Sequence, residues 1–168
     1  DGKQNRLTRS NFDINAVIKN TAASFEGTCT AKHITIDLLF SDWHSYVNAD
    51  MGKIQQVLYN LIENGIKYSG HMGFVHTALT VEGGDVVIRV EDNGVGISDE
   101  DMPHIFERFY RVDKARSREV GGTGLGLSIV SDTVRRRGGT VSVAHRPAGQ
   151  GTLFTVRLPQ VTEEGGSA

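Results

Sequence analysis

The chain has 168 residues, 38% of them hydrophobic, with 18 Lys and Arg against 20 Asp and Glu for a net charge of −2. That is enough chain for one domain with a real core, and the balanced charge gives no reason to expect nucleic-acid or anionic-membrane binding. The single cysteine, Cys29, excludes a disulfide framework and a cysteine zinc site, and no apolar run reaches the length of a membrane span, so the chain reads as a soluble domain, which leaves a membrane-anchored parent open.

Residues 1–11 are polar and read as a loose linker, and 12–160 read as one domain. Phe12 to Lys32 has helical periodicity (Ile14, Val17, Ile18, Phe25) with Asp13 as an N-cap, and Cys29 within it reads as buried packing. His33 to Leu39 alternates as a strand, and a short strand follows around Tyr46-Val47-Asn48. Asp50 then caps a strong helix from Met51 to about Tyr68. Phe74–Val81 and Asp85–Glu91 are strands joined by the hairpin signal Glu82-Gly83-Gly84. Asp99–Phe106 reads as a short helix capped near Ser98. Residues 112–123 are polar and glycine-ended, the composition of a mobile lid. Leu125–Arg137 is a helix ending in Arg135-Arg136-Arg137, favourable at the negative dipole end, and Gly138-Gly139 stops it. Thr140–His145 and Thr152–Leu158 form a second hairpin, and 161–168 reads as a disordered tail. About five main strands and three main helices predict an α+β two-layer sandwich.

Three regions carry chemistry. On the Met51–Tyr68 helix, Ile54, Val57, Leu58, Leu61 and Gly65 form the core stripe, while Lys53, Gln56, Asn60, Asn64 and Lys67 gather in a narrow arc beside it. Asparagine is a poor residue for a helix interior, so two of them four apart call for another reason. Their amide oxygens suit Mg2+, and Lys67 adds a charge for phosphate; a merely polar face is the alternative. Asp92 stands where a strand ends, followed by Gly94, Gly96 and Ile97. It is either a turn carboxylate or an acceptor for an exocyclic amine, with the glycines letting the backbone approach a ring. Gly122-Thr123-Gly124-Leu125-Gly126 precedes a helix without the strand that a Rossmann turn needs, yet it still offers free N–H groups and a positive dipole end for phosphates. Phe106, Phe109 and Tyr110 are expected to pack the base of the lid against the core, with an arginine beside them, Arg108 or Arg111, reaching phosphate. Gly149, Gly151 and Thr152 form a hairpin turn that borders the same pocket. The six histidines lack metal-ligand spacing, and no nucleophile elbow occurs.

In this order the motifs resemble the ATP-binding catalytic domain of sensor histidine kinases, within the group that includes gyrase, the ninety-kilodalton heat-shock chaperone and mismatch-repair ATPases. Asn60-Leu61-Ile62-Glu63-Asn64-Gly65-Ile66-Lys67-Tyr68-Ser69 is similar to the asparagine box. Asp92-x-Gly94-x-Gly96 resembles the first glycine box, Ile105–Arg111 the phenylalanine box, Gly122–Val130 the second glycine box and Gly149-x-Gly151-Thr152 the third. The resemblance implies a Bergerat-type fold, with ATP and Mg2+ as cofactors. It implies Asn64 as the metal ligand with Asn60 assisting, and Lys67 and Arg111 at the phosphates. Tyr68, Ile97 and Tyr110 line the nucleotide and Asp92 reads the adenine amine, with Gly94, Gly96, Gly122, Gly124, Leu125, Gly126 and Thr152 shaping the pocket. Gly65 departs from the family's alanine. Hydrolysing relatives place a glutamate base where this helix has Asn60, which favours phosphotransfer over hydrolysis. No His-Glu-x-x-x-Pro stretch occurs, so the implied phosphate acceptor lies on an upstream dimerisation domain. The implied partners are that domain and a response regulator, and the implied location is the cytoplasmic side of a membrane-anchored parent. An ATP-binding module without kinase activity and a serine kinase of the anti-sigma type remain as alternatives.

Overall fold

The computed structural model describes residues 9–70, 72–110 and 126–165. In chain order these form β1 (Arg9–Asp13), α1 (Ile14–Ala23), α2 (Glu26–Lys32), β2 (Thr35–Phe40), β3 (Tyr46–Asp50), α3 (Met51–Ser69), β4 (Phe74–Glu82), β5 (Asp85–Asp92), a 3-10 turn (Met102–His104), α4 (Gly126–Arg136), β6 (Thr140–His145) and β7 (Thr152–Pro159). The architecture is α+β: a five-stranded mixed sheet in the order β2-β4-β5-β7-β6, in which only β2–β4 is parallel, carries the helices on one face. A separate two-stranded antiparallel sheet joins β1 to β3.

The core lies between the layers. Leu58, Leu61 and Ile62 of α3 and Val130 and Val134 of α4 are buried with Val75, Val86, Ile88, Phe154 and Val156 of the sheet. The caps follow the sequence: Asp13 accepts from the backbone N–H of Asn15 at 3.0 Å and Asp50 from that of Lys53 at 3.2 Å. Both hairpins form as expected, and Cys29 is buried.

Four expectations are corrected. Residues 9–11, expected to be loose, open β1, because pairing with β3 satisfies a backbone whose polar side chains face outward. The single helix expected over 12–32 is two, with a turn at Ser24-Phe25, which gives four α-helices among the described residues rather than three. The helix expected over 99–106 shrinks to one 3-10 turn, although Ser98 Oγ does accept from the N–H of Asp101 at 3.2 Å. The tail expected to be disordered from 161 is described to Gly165, and Val161 donates its N–H to the carbonyl of Tyr46 at 2.9 Å. No helix among the described residues is long and apolar enough to cross a membrane.

Candidate functional site

Asp92 ends β5, where it pairs with Thr152 of β7, and is 5% exposed. Its Oδ1 accepts from the N–H of Gly94 at 2.9 Å, and the backbone of Thr152 supplies a second hydrogen bond. No ion pair among the described residues includes it: the nearby guanidinium of Arg146 is engaged by Glu91 at 2.8 Å. Burial pushes the Asp92 carboxyl up to about 6, against the lowering effect of the two backbone donors. The side chain therefore has structural partners that the sequence does not disclose, yet its charge is under-compensated.

The glycines act differently from the expectation that they spare room for a ligand. A Cβ on Gly94 would fall on the carbonyl oxygen of Tyr68 at the end of α3, the same carbonyl that accepts from Val95 N–H at 3.1 Å. A Cβ on Gly151 would fall on the carbonyl of Asp92, and Gly151 has φ of +135°. These two positions are glycine because β5, α3 and β7 converge there, and Asp92 is held at the convergence. Gly96, at φ +77°, needs glycine for its backbone conformation.

On α3, Asn60, Asn64 and Lys67 are half-buried, whereas Gln55 and Gln56, one turn earlier, are exposed. Asn60 Nδ2 reaches the carbonyl of Gly126 at 3.4 Å, which brings the asparagine motif against the first residue of α4 and leaves Oδ1 as the acceptor. The amide of Asn64 makes no hydrogen bond among the described residues. Lys67 Nζ lies 3.6 Å from Glu63, so its charge is shared with a neighbour one turn back. Tyr68 is half-buried, and Ile97 packs against the core from the loop after Asp92.

The aromatic motif divides. Phe106 packs on the core, edge-on to Phe154 at 6.1 Å between centroids. Phe109 does not: it is 68% exposed with φ of +67°. The Tyr110 hydroxyl donates to Asp101, which pushes the phenol up to about 12 and holds the Asp101 carboxyl below its ordinary value. Arg111, Gly122, Gly124 and Leu125, and the lid expected over 112–123, lie outside the described residues.

Three residues at the site make contacts that the sequence does not assign. Asn93 Oδ1 accepts from the N–H of Phe74 at 2.8 Å, tying the loop after β5 to the start of β4; no local signal reveals this bond, because it joins residues 19 apart in the chain. Ser69 Oγ donates to the carbonyl of Gly65 at 2.6 Å and closes α3. Gly65 faces Val75 and Asp92 directly: a Cβ there would lie 3.1 Å from Val75 and 3.7 Å from the Cβ of Asp92. No spacing argument places Gly65 beside Asp92, because the contact joins residues far apart in the chain.

Residues 49–162 match the family described as histidine kinase-, DNA gyrase B-, and HSP90-like ATPase. The sensor histidine kinase WalK of Bacillus subtilis is 38% identical over 166 residues, covering 98% of this chain and 27% of WalK. Among solved structures, the nucleotide-free catalytic domain of histidine kinase ThkA superposes with a TM-score of 0.81 at 27% identity, covering 90% of this chain and 97% of that one. Full-length ShkA in complex with AMPPNP gives 0.78 at 29% identity, covering 96% of this chain and 32% of that one. The chain spans between a quarter and a third of the length of the curated relatives it matches.

Proposed function

The chain belongs to the histidine kinase-, DNA gyrase B-, and HSP90-like ATPase family as an ATP-binding catalytic domain of the histidine kinase kind, and on that premise we propose that it binds ATP with Mg2+ and transfers the γ-phosphate to a histidine on a dimerisation domain of its parent. The observation that carries this reading is Asp92. A buried carboxylate with two backbone donors and no ion-pair partner is costly to the folded protein on its own. An adenine amine is the donor that offsets the cost, and a guanine presents an acceptor at the same place, so the site selects ATP over GTP.

Tyr68 and Ile97 flank the base, and Gly94, Gly96 and Thr152 set the loop and strand that hold Asp92. Tyr110 borders the site from beside Asp101. The glycine run Gly122, Gly124, Leu125 and Gly126 is assigned to the phosphates, for which N–H groups ahead of a helix are suited. Lys67 and Arg111 neutralise phosphate charge, and Lys67 exchanges its bond to Glu63 for one to the nucleotide.

The residues fit Mg2+. Asn64 has an amide with no hydrogen bond among the described residues, and the bond from Asn60 Nδ2 to Gly126 leaves the Asn60 oxygen as an acceptor, which offers two hard neutral ligands to a cation that keeps most of its shell for phosphate and water. When bound, the ion offsets the charge of the triphosphate. Asn60 cannot take a proton from water, whereas a neutral imidazole is already a nucleophile, so positioning and charge suffice for transfer.

Calorimetric titration with ATP and GTP, with and without Mg2+, tests the reading. ATP binding that Mg2+ strengthens and GTP does not match supports it, and equal affinity for the two nucleotides contradicts the assignment of Asp92. A response regulator receives the phosphoryl group downstream, and the parent holds this domain on the cytoplasmic side of the membrane.

A further inference from the structure

A cavity of about 290 Å3 lies between β1, the first turn and a half of α3 and the last turns of α4. Four cationic side chains line it: Arg9 from β1, Lys53 from α3, and Arg136 and Arg137 from the end of α4. The carboxylates in its wall are Asp50 and Asp132, so positive charge is in excess. None of the ion pairs among the described residues includes Arg9, Arg136 or Arg137.

The cations are placed rather than merely near one another. Arg9 is held through Nε and Nη2 by Asn48 Oδ1 at 3.1 and 2.7 Å, and Asn48 is held in turn by its bond to Asn11 at 2.6 Å. That amide orients the guanidinium without neutralising it. Arg137 is partly buried, and both its burial and the charge of Arg9 work against its protonated form. The oriented guanidinium of Arg9 and the partly buried Arg137, whose charge it disfavours, form an arrangement that an anion relieves, since each presents a planar fork suited to carboxylate or phosphate oxygens. The favourable effect of Arg135-Arg136-Arg137 on the helix dipole does not account for Arg136 and Arg137 turning into a cavity with Arg9 and Lys53.

We propose that this cavity is an anion site separate from the nucleotide site, that it takes one phosphate or carboxylate group, and that filling it ties α4 to α3 and β1. Lys53 stands two turns of helix, about 10 Å, before Asn60. The two sites therefore share a pair of helices: the cavity runs from the start of α3 to Gln56 and from Ile129 to the end of α4, and Asn60 and Gly126 lie about one turn beyond it on each helix. The anion is either a free one or an acidic side chain brought by the dimerisation domain. The inference does not rest on the nucleotide reading.

The test is an NMR titration of the 15N-labelled protein with inorganic phosphate, with AMPPNP and Mg2+ saturating and NaCl at matched ionic strength as the control. The expected result is a saturable movement of the Arg9 and Arg137 Nε signals and of the Lys53 and Arg136 amides that NaCl does not reproduce. Arg9→Gln and Arg137→Gln should each weaken it at least fivefold, and Arg135→Gln, outside the cavity, should leave it unchanged. Where Arg137→Gln lowers the melting temperature, Arg136→Gln, a more exposed cation of the same cavity, takes its place. Movement that NaCl reproduces, that survives Arg9→Gln, or that is confined to Asn60, Asn64 and Gly126 overturns the proposal. Repeating the titration on a longer chain that includes the dimerisation domain separates the sources: unchanged titration identifies a free anion, and Arg9 and Arg137 signals already displaced and insensitive to phosphate identify a carboxylate of that domain. Failure of AMPPNP to bind, with the phosphate response intact, removes the nucleotide reading and leaves this site standing.

Discussion

Asp92 is the side chain on which the proposed adenine contact rests. Its carboxyl is raised by burial to about 6, so the stability that this group contributes is present when it is protonated, below the ordinary carboxylate range, and is lost as pH rises through about 6. Nucleotide binding has the opposite sign, because the adenine amine needs the ionised form. ATP affinity should therefore fall as pH drops from 7 to 5, while the unliganded protein loses no stability at this group over the same interval. Calorimetry and thermal melts across that range check both. Asp92→Asn should weaken ATP binding by about 1.5–3 kcal/mol, the value of a charged hydrogen bond, with a melting temperature unchanged or raised. Unchanged affinity removes Asp92 from the site. Asn64→Ala should abolish the Mg2+-dependent part of ATP affinity and leave adenosine binding intact, because the amide has no bond to lose among the described residues; an unaltered Mg2+ effect would contradict the ligand assignment. Asp92 on its own reads equally as a turn carboxylate, and it is legible as an acceptor only through the ordered motifs that resemble the kinase family. Its supports are not legible, since Gly94 is fixed by the carbonyl of Tyr68 and Gly151 by that of Asp92, contacts set by the meeting of three elements.

At the scale of elements, α3 is where local and tertiary demands compete. Gly65 lowers helix stability by up to about 1 kcal/mol relative to alanine, yet a Cβ there would press on Val75, which is fully buried, at 3.1 Å. Crowding of that kind costs about 1–3 kcal/mol. Gly65→Ala should therefore be neutral to destabilising in urea unfolding, and adding Val75→Ala should return part of the helix gain as a favourable coupling. A clear stabilisation by Gly65→Ala alone would show that Val75 can move. Gly151→Ala is a severer case, because the clash is with backbone and the φ is left-handed; a loss of at least about 2 kcal/mol is expected. Periodicity made α3, α4 and both hairpins of the large sheet legible. It missed β1, whose Arg9-Ser10-Asn11 carries no apolar alternation and forms only because β3 is beside it. It overread 99–106, where apolar residues at helical spacing serve a single 3-10 turn.

At the scale of the whole molecule, the sheet's central strands, α3 and the start of α4 bring Asp92, Asn60, Asn64 and Gly126 to one end of a single domain. Motifs spread from residue 60 to residue 152 meet there, around Asp92. The chain offers no phosphoacceptor motif of its own and has an amide at Asn60 where a hydrolysing relative has its base. It should therefore bind ATP, turn it over slowly by itself, and act on a histidine presented in trans. The direct measurement is incubation of this domain with labelled ATP, Mg2+ and the separately produced dimerisation domain of its parent. Label should pass to that domain as an acid-labile, base-stable phosphohistidine, and the transfer should be lost with Asn64→Ala. An acid-stable product, or tight ATP binding with no labelled product, would contradict this expectation.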